Sequence, residues 1–263
     1  MNAGVRTAST GFVLVLTVLA FGIPVAAVAP LVHGSLHHGT TKSTSTNWAG
    51  YAVTSSKGSV TDVKGSWIVP AIQGKCPSSG YQYSSFWVGI DGYASKTVEQ
   101  TGTDSDCQGG SATYYGWYEF YPKASFLFSI TISAGDTIFA EVKFANAKFT
   151  VTLKDVTTGK SASTSSKVTA ARNSAEWIAE APASSGGVLP LADFGTAHFG
   201  YGATGVASTC DATISGTTAA IGSLTNIHSI TMVNNAGTAN KATTSSLSSS
   251  GSSFNVTWAS AGP

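Results

Sequence analysis

Proton transfer in this chain has to come from carboxylates. All 13 Asp and Glu residues fall at or after Asp62. Of the five histidines, His33, His37 and His38 cluster near the N-terminus, which leaves His198 and His228 further along, neither in a recognisable nucleophile–base setting. There is no Gly-x-Ser-x-Gly elbow, no His-Glu-x-x-His and no pair of Asp-Thr/Ser-Gly loops. Cys76, Cys107 and Cys210 have no zinc-site spacing. No metal and no cofactor is therefore expected, and the acid or base is one of the carboxylates.

The elements that position those carboxylates read as strands. Short β-rich runs alternate with Gly/Ser/Thr/Asn turns over Ser84–Ile90, Thr113–Tyr121, Thr137–Phe144, Lys148–Asp155, Ala175–Glu180, Ile227–Val233 and Phe254–Trp258. Leu127–Ile132, Ala134-Gly135-Asp136 and Ile138–Val142 read as strand, turn, strand. Helical periodicity is absent. The expected fold is all-β, a sandwich of two antiparallel sheets of the jelly-roll or concanavalin-like kind. Strand alternation then sorts the side chains. Phe86, Val88 and Ile90 point to the core, with Trp87, Gly89 and Asp91 opposite. Tyr115, Trp117, Glu119 and Tyr121 share one face, and Gly116, Tyr118 and Phe120 the other. Ala175, Trp177 and Ala179 read as core, with Glu176, Ile178 and Glu180 facing outward. Aromatics and carboxylates thus gather on the face away from the core, as a substrate groove requires.

Four segments, in order, resemble the glutamic peptidase (eqolisin) family: Trp87-Val88-Gly89-Ile90-Asp91-Gly92, Glu99-Gln100-Thr101-Gly102, Trp117-Tyr118-Glu119-Phe120-Tyr121-Pro122 and Asn173-Ser174-Ala175-Glu176-Trp177-Ile178. Ala192-Asp193-Phe194-Gly195 and the ending Ser249–Thr257 add to the likeness, which spans nearly all of 47–258. The resemblance implies a two-sheet sandwich and an acid endopeptidase. It implies that Gln100 and Glu176 are the catalytic pair: Glu176 takes a proton from the attacking water and returns it to the leaving amine. The Gln100 amide holds that water and stabilises the oxyanion. Trp87, Asp91, Trp117, Glu119 and Tyr121 are then substrate-binding or supporting residues. Phe120 stands where the family commonly has Trp, and the stretch from Asp91 to Gln100 has no cysteine to brace it.

The rest of the chain sets the context. Arg6 precedes an apolar run, Phe12–Ala29, broken by Gly22 and Pro24 and ending Ala27-Val28-Ala29. This reads as a signal peptide, 1–29, cleaved after Ala29, rather than a membrane anchor. Residues 30–46 read as a flexible linker or short propeptide, and 47–263 as one peptidase domain. The expected product is secreted, extracellular, monomeric and free of stable membrane association. Charged residues make up only 10% of the chain and the net charge is +1, which excludes a basic nucleic-acid surface and suits an acidic medium. One cysteine pair is expected to bridge, with Cys76–Cys107 favoured and the other pairings open. Protein or peptide substrates are the expected partners. Two other classes fit the same residues: a carbohydrate-binding β-sandwich that stacks sugars on its aromatics, and a glycoside hydrolase that uses Glu119 and Glu176.

Overall fold

The computed structural model describes residues 40–184 and 186–262. The expected signal peptide and the first part of the expected linker lie outside the described residues. The strands in chain order begin β1 (Thr40–Ser45), β2 (Trp48–Thr54), β3 (Val60–Ile68), β4 (Tyr81–Gln82), β5 (Ser85–Ile90), β6 (Val98–Gln108) and β7 (Ser111–Tyr121). There follow β8 (Phe126–Thr131), β9 (Thr137–Ala145), β10 (Lys148–Asp155), β11 (Ser161–Ser166), β12 (Ser174–Glu180), β13 (Ala183–Ser184) and β14 (Gly187–Val188). The last are β15 (Thr196–Gly200), β16 (Asp211–Ile214), β17 (Thr217–Ala220), β18 (Ile227–Val233), β19 (Asn240–Thr244) and β20 (Ser253–Trp258). The strands expected from alternation are all present, with ends within two residues.

Pairing arranges them in two layers. The first runs β1, β18, β2, β12, β5, β6, β7, β8, antiparallel throughout except for the parallel β1–β18 edge. The second runs β11, β10, β9, β3, with β15 and β16 sharing the far side of β3 and β20 and β19 beyond β15. Residues 40–45 correct the expectation of a flexible stretch up to 46. Although TTKSTS carries no apolar alternation, all six residues pair with Ile227–Met232.

The main core lies between the layers. Trp67, Phe86, Phe149, Trp177 and Phe199 are fully buried there. Each such side chain contributes on the order of 1.5–3 kcal/mol through burial. Two indoles also stitch the layers. Trp67 Nε1 donates to Thr103 Oγ1 (2.9 Å), and Trp177 Nε1 donates to the Lys64 carbonyl (2.7 Å). On the outer face of the first layer sits a smaller cluster of Ala52, Trp87, Val98, Trp117, Ile178 and Ile230. This second cluster explains why β5 and β12 are buried on both faces: the residues that alternation turns away from the core face this cluster and the groove beside it. Ile178 and Glu176 accordingly have no solvent exposure, contrary to an outward-facing expectation.

Candidate active site

The register of four neighbouring strands creates one row of side chains. Glu176 on β12 pairs with Gly89 on β5, Gly89 with Gln100 on β6, and Gln100 with Glu119 on β7. On the other side, Glu176 pairs with Ala52 on β2, and Ala52 with His228 on β18. Directly paired residues share a face, so the carboxylate, the amide and the second carboxylate point the same way. Adjacent strands lie about 5 Å apart, which sets Glu176 and Gln100 about 10 Å apart at the backbone with a residue lacking a side chain between them. A Cβ on Gly89 would stand 2.9 Å from Trp87 Cζ3 and 3.2 Å from Val98 Cγ2. The Trp87 ring and Val98 close in over Gly89, so this point of the row has room for glycine alone.

Hydrogen bonding orients the amide. Gln100 Nε2 donates to Glu119 Oε2 at 2.5 Å, and this turns Gln100 Oε1 away from Glu119. Gln100 Oε1 is buried without a hydrogen-bond partner among the described residues, and so is Glu176 Oε2. Buried polar atoms are rarely left unpaired, and these two belong to the same row. Glu176 Oε1 accepts only a long bond from the Tyr93 N–H, 3.4 Å. Tyr93 roofs the carboxylate: its ring tilts against His228 (4.8 Å between centroids) and its hydroxyl donates to Ser43 Oγ (3.3 Å).

Burial, the largest cause, pushes Glu176 well above the ordinary carboxylate range, and the nearby charges of Asp91 and Glu99 push the same way. Glu119 is raised by burial and lowered by the Gln100 amide. Glu180 is pushed up to about 7, chiefly by burial, against hydrogen bonds from Trp87 and Asn47. Glu99 is fully buried, both its oxygens lack a partner among the described residues, and burial followed by the Asp91 charge pushes it up to about 8. Desolvation disfavours each charged form.

A groove of about 960 Å³ opens beside the row. Gln100, Glu119, Trp117 and Tyr121 line it, and so does Tyr115 on the same face of β7. Three expected residues do not. Glu176 sits behind the Tyr93 segment. Trp87 is fully buried, and its Nε1 donates to Glu180 Oε2 at 2.8 Å. Asp91, with φ of 74°, leaves the strand and accepts the backbone N–H groups of Arg172 (2.6 Å) and Asn173 (2.8 Å). It therefore fixes the entry to β12 two residues before Glu176 and is not a groove wall. Sequence reasoning passed over Tyr93 and Asp104, and named Glu180 only as an outward-facing residue outside the site. Glu180 was within reach, because it follows Glu176 by four residues on one strand face. Asp104 stands four residues beyond Gln100 in the same relation.

A two-sheet sandwich with a carboxylate and an amide in one cross-strand row beside a groove defines the class of this protein as a glutamic-type peptidase scaffold. The chain belongs to the Peptidase A4 family, whose model matches residues 46–258. It is similar to aspergillopepsin-2 of Aspergillus niger, 36% identical over 178 residues that make up 59% of this chain and 62% of that protein. It is also similar to scytalidopepsin B of Scytalidium lignicola, 40% identical over 119 residues, 43% of each chain. These matches thus span about three fifths and two fifths of the relatives' own lengths. Among solved structures, scytalido-glutamic peptidase with a peptide-based transition state analog superposes with a TM-score of 0.65 at 28% identity, covering 81% of this chain and 98% of that one. Aspergilloglutamic peptidase from Aspergillus niger gives 0.55 at 30% identity, covering 68% and 99%.

Proposed function

We propose that the chain is a secreted acid endopeptidase that cleaves peptide bonds by direct attack of water, with Glu176 as general base and then acid, and Gln100 as water holder and oxyanion donor. The observation that carries this reading is the row Glu176–Gly89–Gln100, with an unpartnered oxygen on each end residue. A water between Glu176 Oε2 and Gln100 Oε1 satisfies both atoms. Hydration of Glu176 also reverses the burial that holds it protonated, so the arrival of the nucleophile and the ionisation of the base are coupled. Admitting that water requires the Tyr93 segment to shift, which breaks one 3.4 Å hydrogen bond at the carboxylate.

The steps then balance. Glu176 removes a proton from the water, whose oxygen attacks the scissile carbonyl. One Nε2 hydrogen of Gln100 stays on Glu119, and the other is free for the developing oxyanion. The protonated Glu176 gives its proton to the leaving nitrogen as the C–N bond breaks. Glu119 orients the amide, Asp91 sets the approach of β12, and Trp117 and Tyr121 line the substrate channel. A peptide substrate is consistent with the peptide-based analog bound by the relative of known structure. The apolar run with its small-x-small end supports export, and among the described residues no helix is long and apolar enough to cross a membrane.

The glycoside hydrolase reading is weaker on geometry. Glu119 and Glu176 are not neighbours in the row but stand three strands apart in it. Gln100 also lies between them and occupies Glu119. The deciding experiment incubates the purified protein with acid-denatured haemoglobin and with common glycans at pH 2–7. Release of new peptide amines that disappears in Glu176→Gln supports the peptidase. Sugar release, or binding without turnover, overturns it.

A further inference from the structure

One cluster of buried acids takes no part in the chemistry above. Asp104 and Asp106, two residues apart on β6, flank a single phenol on β7. Tyr115 Oη lies 2.9 Å from Asp104 Oδ2 and 2.6 Å from Asp106 Oδ2. The other oxygen of each aspartate is already taken. Asp104 Oδ1 accepts the Trp117 indole N–H at 2.6 Å, and Asp106 Oδ1 accepts the Ser84 backbone N–H at 3.1 Å. Asp106 has no solvent exposure and Asp104 only 6%.

Counting protons constrains this cluster. Two carboxyl oxygens approach one phenol oxygen, and each of the two short contacts needs a proton between its oxygens. The phenol has one proton to give. If it donates to one aspartate, the contact to the other is satisfied only when that aspartate is itself protonated and donates to the phenol oxygen. Two ionised aspartates would leave two acceptors facing each other across one contact in a buried setting, which costs free energy on both counts.

We propose that Asp104, Tyr115 and Asp106 form a proton-sharing brace that positions Trp117 in the groove wall, and that the brace is intact only while it holds one carboxyl proton. Trp117 is the residue the brace serves. It stands two residues before Glu119 on the same strand face and pairs with Gly102, two residues beyond Gln100. Its indole N–H has one acceptor, and that acceptor is Asp104. A second carboxylate charge in the cluster removes the reason for Asp104 to stay where Trp117 needs it, and the wall beside the Gln100–Glu119 pair loosens. The brace thus links solution pH to substrate binding, not to the proton transfer itself.

The surroundings favour retention of that proton. Burial raises both acids, and the Asp106 charge adds to the rise of Asp104. Ser85 faces Asp104, while Gln108 and Tyr83 face Asp106, with Tyr81 stacked on Tyr83. Glu119 and Glu180, which add negative charge when ionised, line the same groove, as does the cationic Lys96.

The test uses Asp106→Asn and Tyr115→Phe in the full chain. The Asn variant replaces the titrating proton with a permanent amide donor to the phenol oxygen, while its carbonyl still accepts from Ser84. Incorporating fluorotryptophan gives a fluorine resonance for each of the six tryptophans, with that of Trp117 identified by its loss in Trp117→Phe. In the wild type, the Trp117 resonance should move as pH rises from 4 to 8, and KM for a peptide substrate should rise about tenfold or more with little change in kcat. In Asp106→Asn both responses should vanish or move upward by at least one pH unit. Tyr115→Phe, without the bridging hydroxyl, should show the high-pH position of the resonance already at pH 4, with KM raised there. The proposal is overturned if the Trp117 resonance of the wild type ignores pH, if Asp106→Asn titrates as the wild type does, or if Tyr115→Phe keeps the acid-state resonance and KM. The activity arm rests on the peptidase reading and the fluorine arm does not. A protein inactive on every peptide would therefore refute that reading and leave the brace to be judged by the resonance alone.

Discussion

Glu99 gives the sharpest stability prediction. It is fully buried next to Gln100, both its oxygens lack partners among the described residues, and burial pushes it up to about 8 against an ordinary 4.5. The fold therefore binds a proton that the unfolded chain releases. Below about pH 4.5 both states hold the proton and Glu99 adds no pH dependence. Between 4.5 and 8 the unfolded chain releases it first, so stability falls as pH rises, and above 8 the loss is complete. The difference corresponds to at most about 5 kcal/mol, and local hydration of the opened site brings the expected loss to about 2–4 kcal/mol. That is a large share of the ~5–15 kcal/mol that holds a domain together. Glu99→Gln keeps the shape and removes the titration. Urea unfolding at pH 4 and at pH 7.5 measures both proteins. The variant should match or fall slightly below the wild type at pH 4 and exceed it by about 2 kcal/mol or more at pH 7.5. An equal difference between the two proteins at both pH values would refute the reasoning.

Other expectations concern the site and its frame. Glu176→Gln should lower kcat by ~10²–10⁴-fold and Gln100→Ala by ~10²–10³-fold, both with native circular dichroism; near-normal turnover in either folded variant would remove it from the mechanism. Gly89→Ala should set a methyl between Glu176 and Gln100 and push Trp87 and Val98 aside, costing ~1–3 kcal/mol and more than tenfold in kcat/KM, which steady-state kinetics beside thermal unfolding will separate. The disulfide joins Cys76 to Cys107, the favoured pairing, across 31 residues, and loss of a loop closure of that length should cost ~3–4 kcal/mol, read by unfolding Cys76→Ser/Cys107→Ser against the wild type. The buried Cys210 should resist thiol reagents until the chain unfolds.

The parts of the fold legible in the sequence were those where one face is apolar and the other is not. β10 alternates in burial along most of its length, and its sequence, KFTVTLKD, alternates in the same phase. The face assignments on β7 held for the same reason, since Tyr115, Trp117, Glu119 and Tyr121 all line the groove. β6 was recognised only through a motif. Its residues Glu99-Gln100-Thr101-Gly102-Thr103-Asp104-Ser105-Asp106 offer almost no apolar signal, yet all eight are buried. The strand supplies polar groups to two buried settings at once, and periodicity cannot report that. Asp91 was misplaced because alternation assumes an extended backbone, and its φ of 74° ends the alternation there. The burial of Glu176 was not legible either, because it depends on the Tyr93 segment folding back over a strand about 80 residues distant in sequence.

The parallel edge formed by β1 bears on where the chain could be trimmed without harm. Thr40–Ser45 covers the outer hydrogen-bonding edge of β18 with six paired residues, and Lys42 is the one charge on that covering strand. Trimming the chain at Asn47 would strip the cover and leave a bare strand edge, a template for pairing with another chain. It would also remove Ser43, which tethers the Tyr93 hydroxyl. The useful limit for any processing protease is therefore the residue before Thr40: trimmed beyond it, the molecule would gain a sticky flank capable of taking up the same strand from a neighbour, and would lose the latch on the segment that shields its own Glu176.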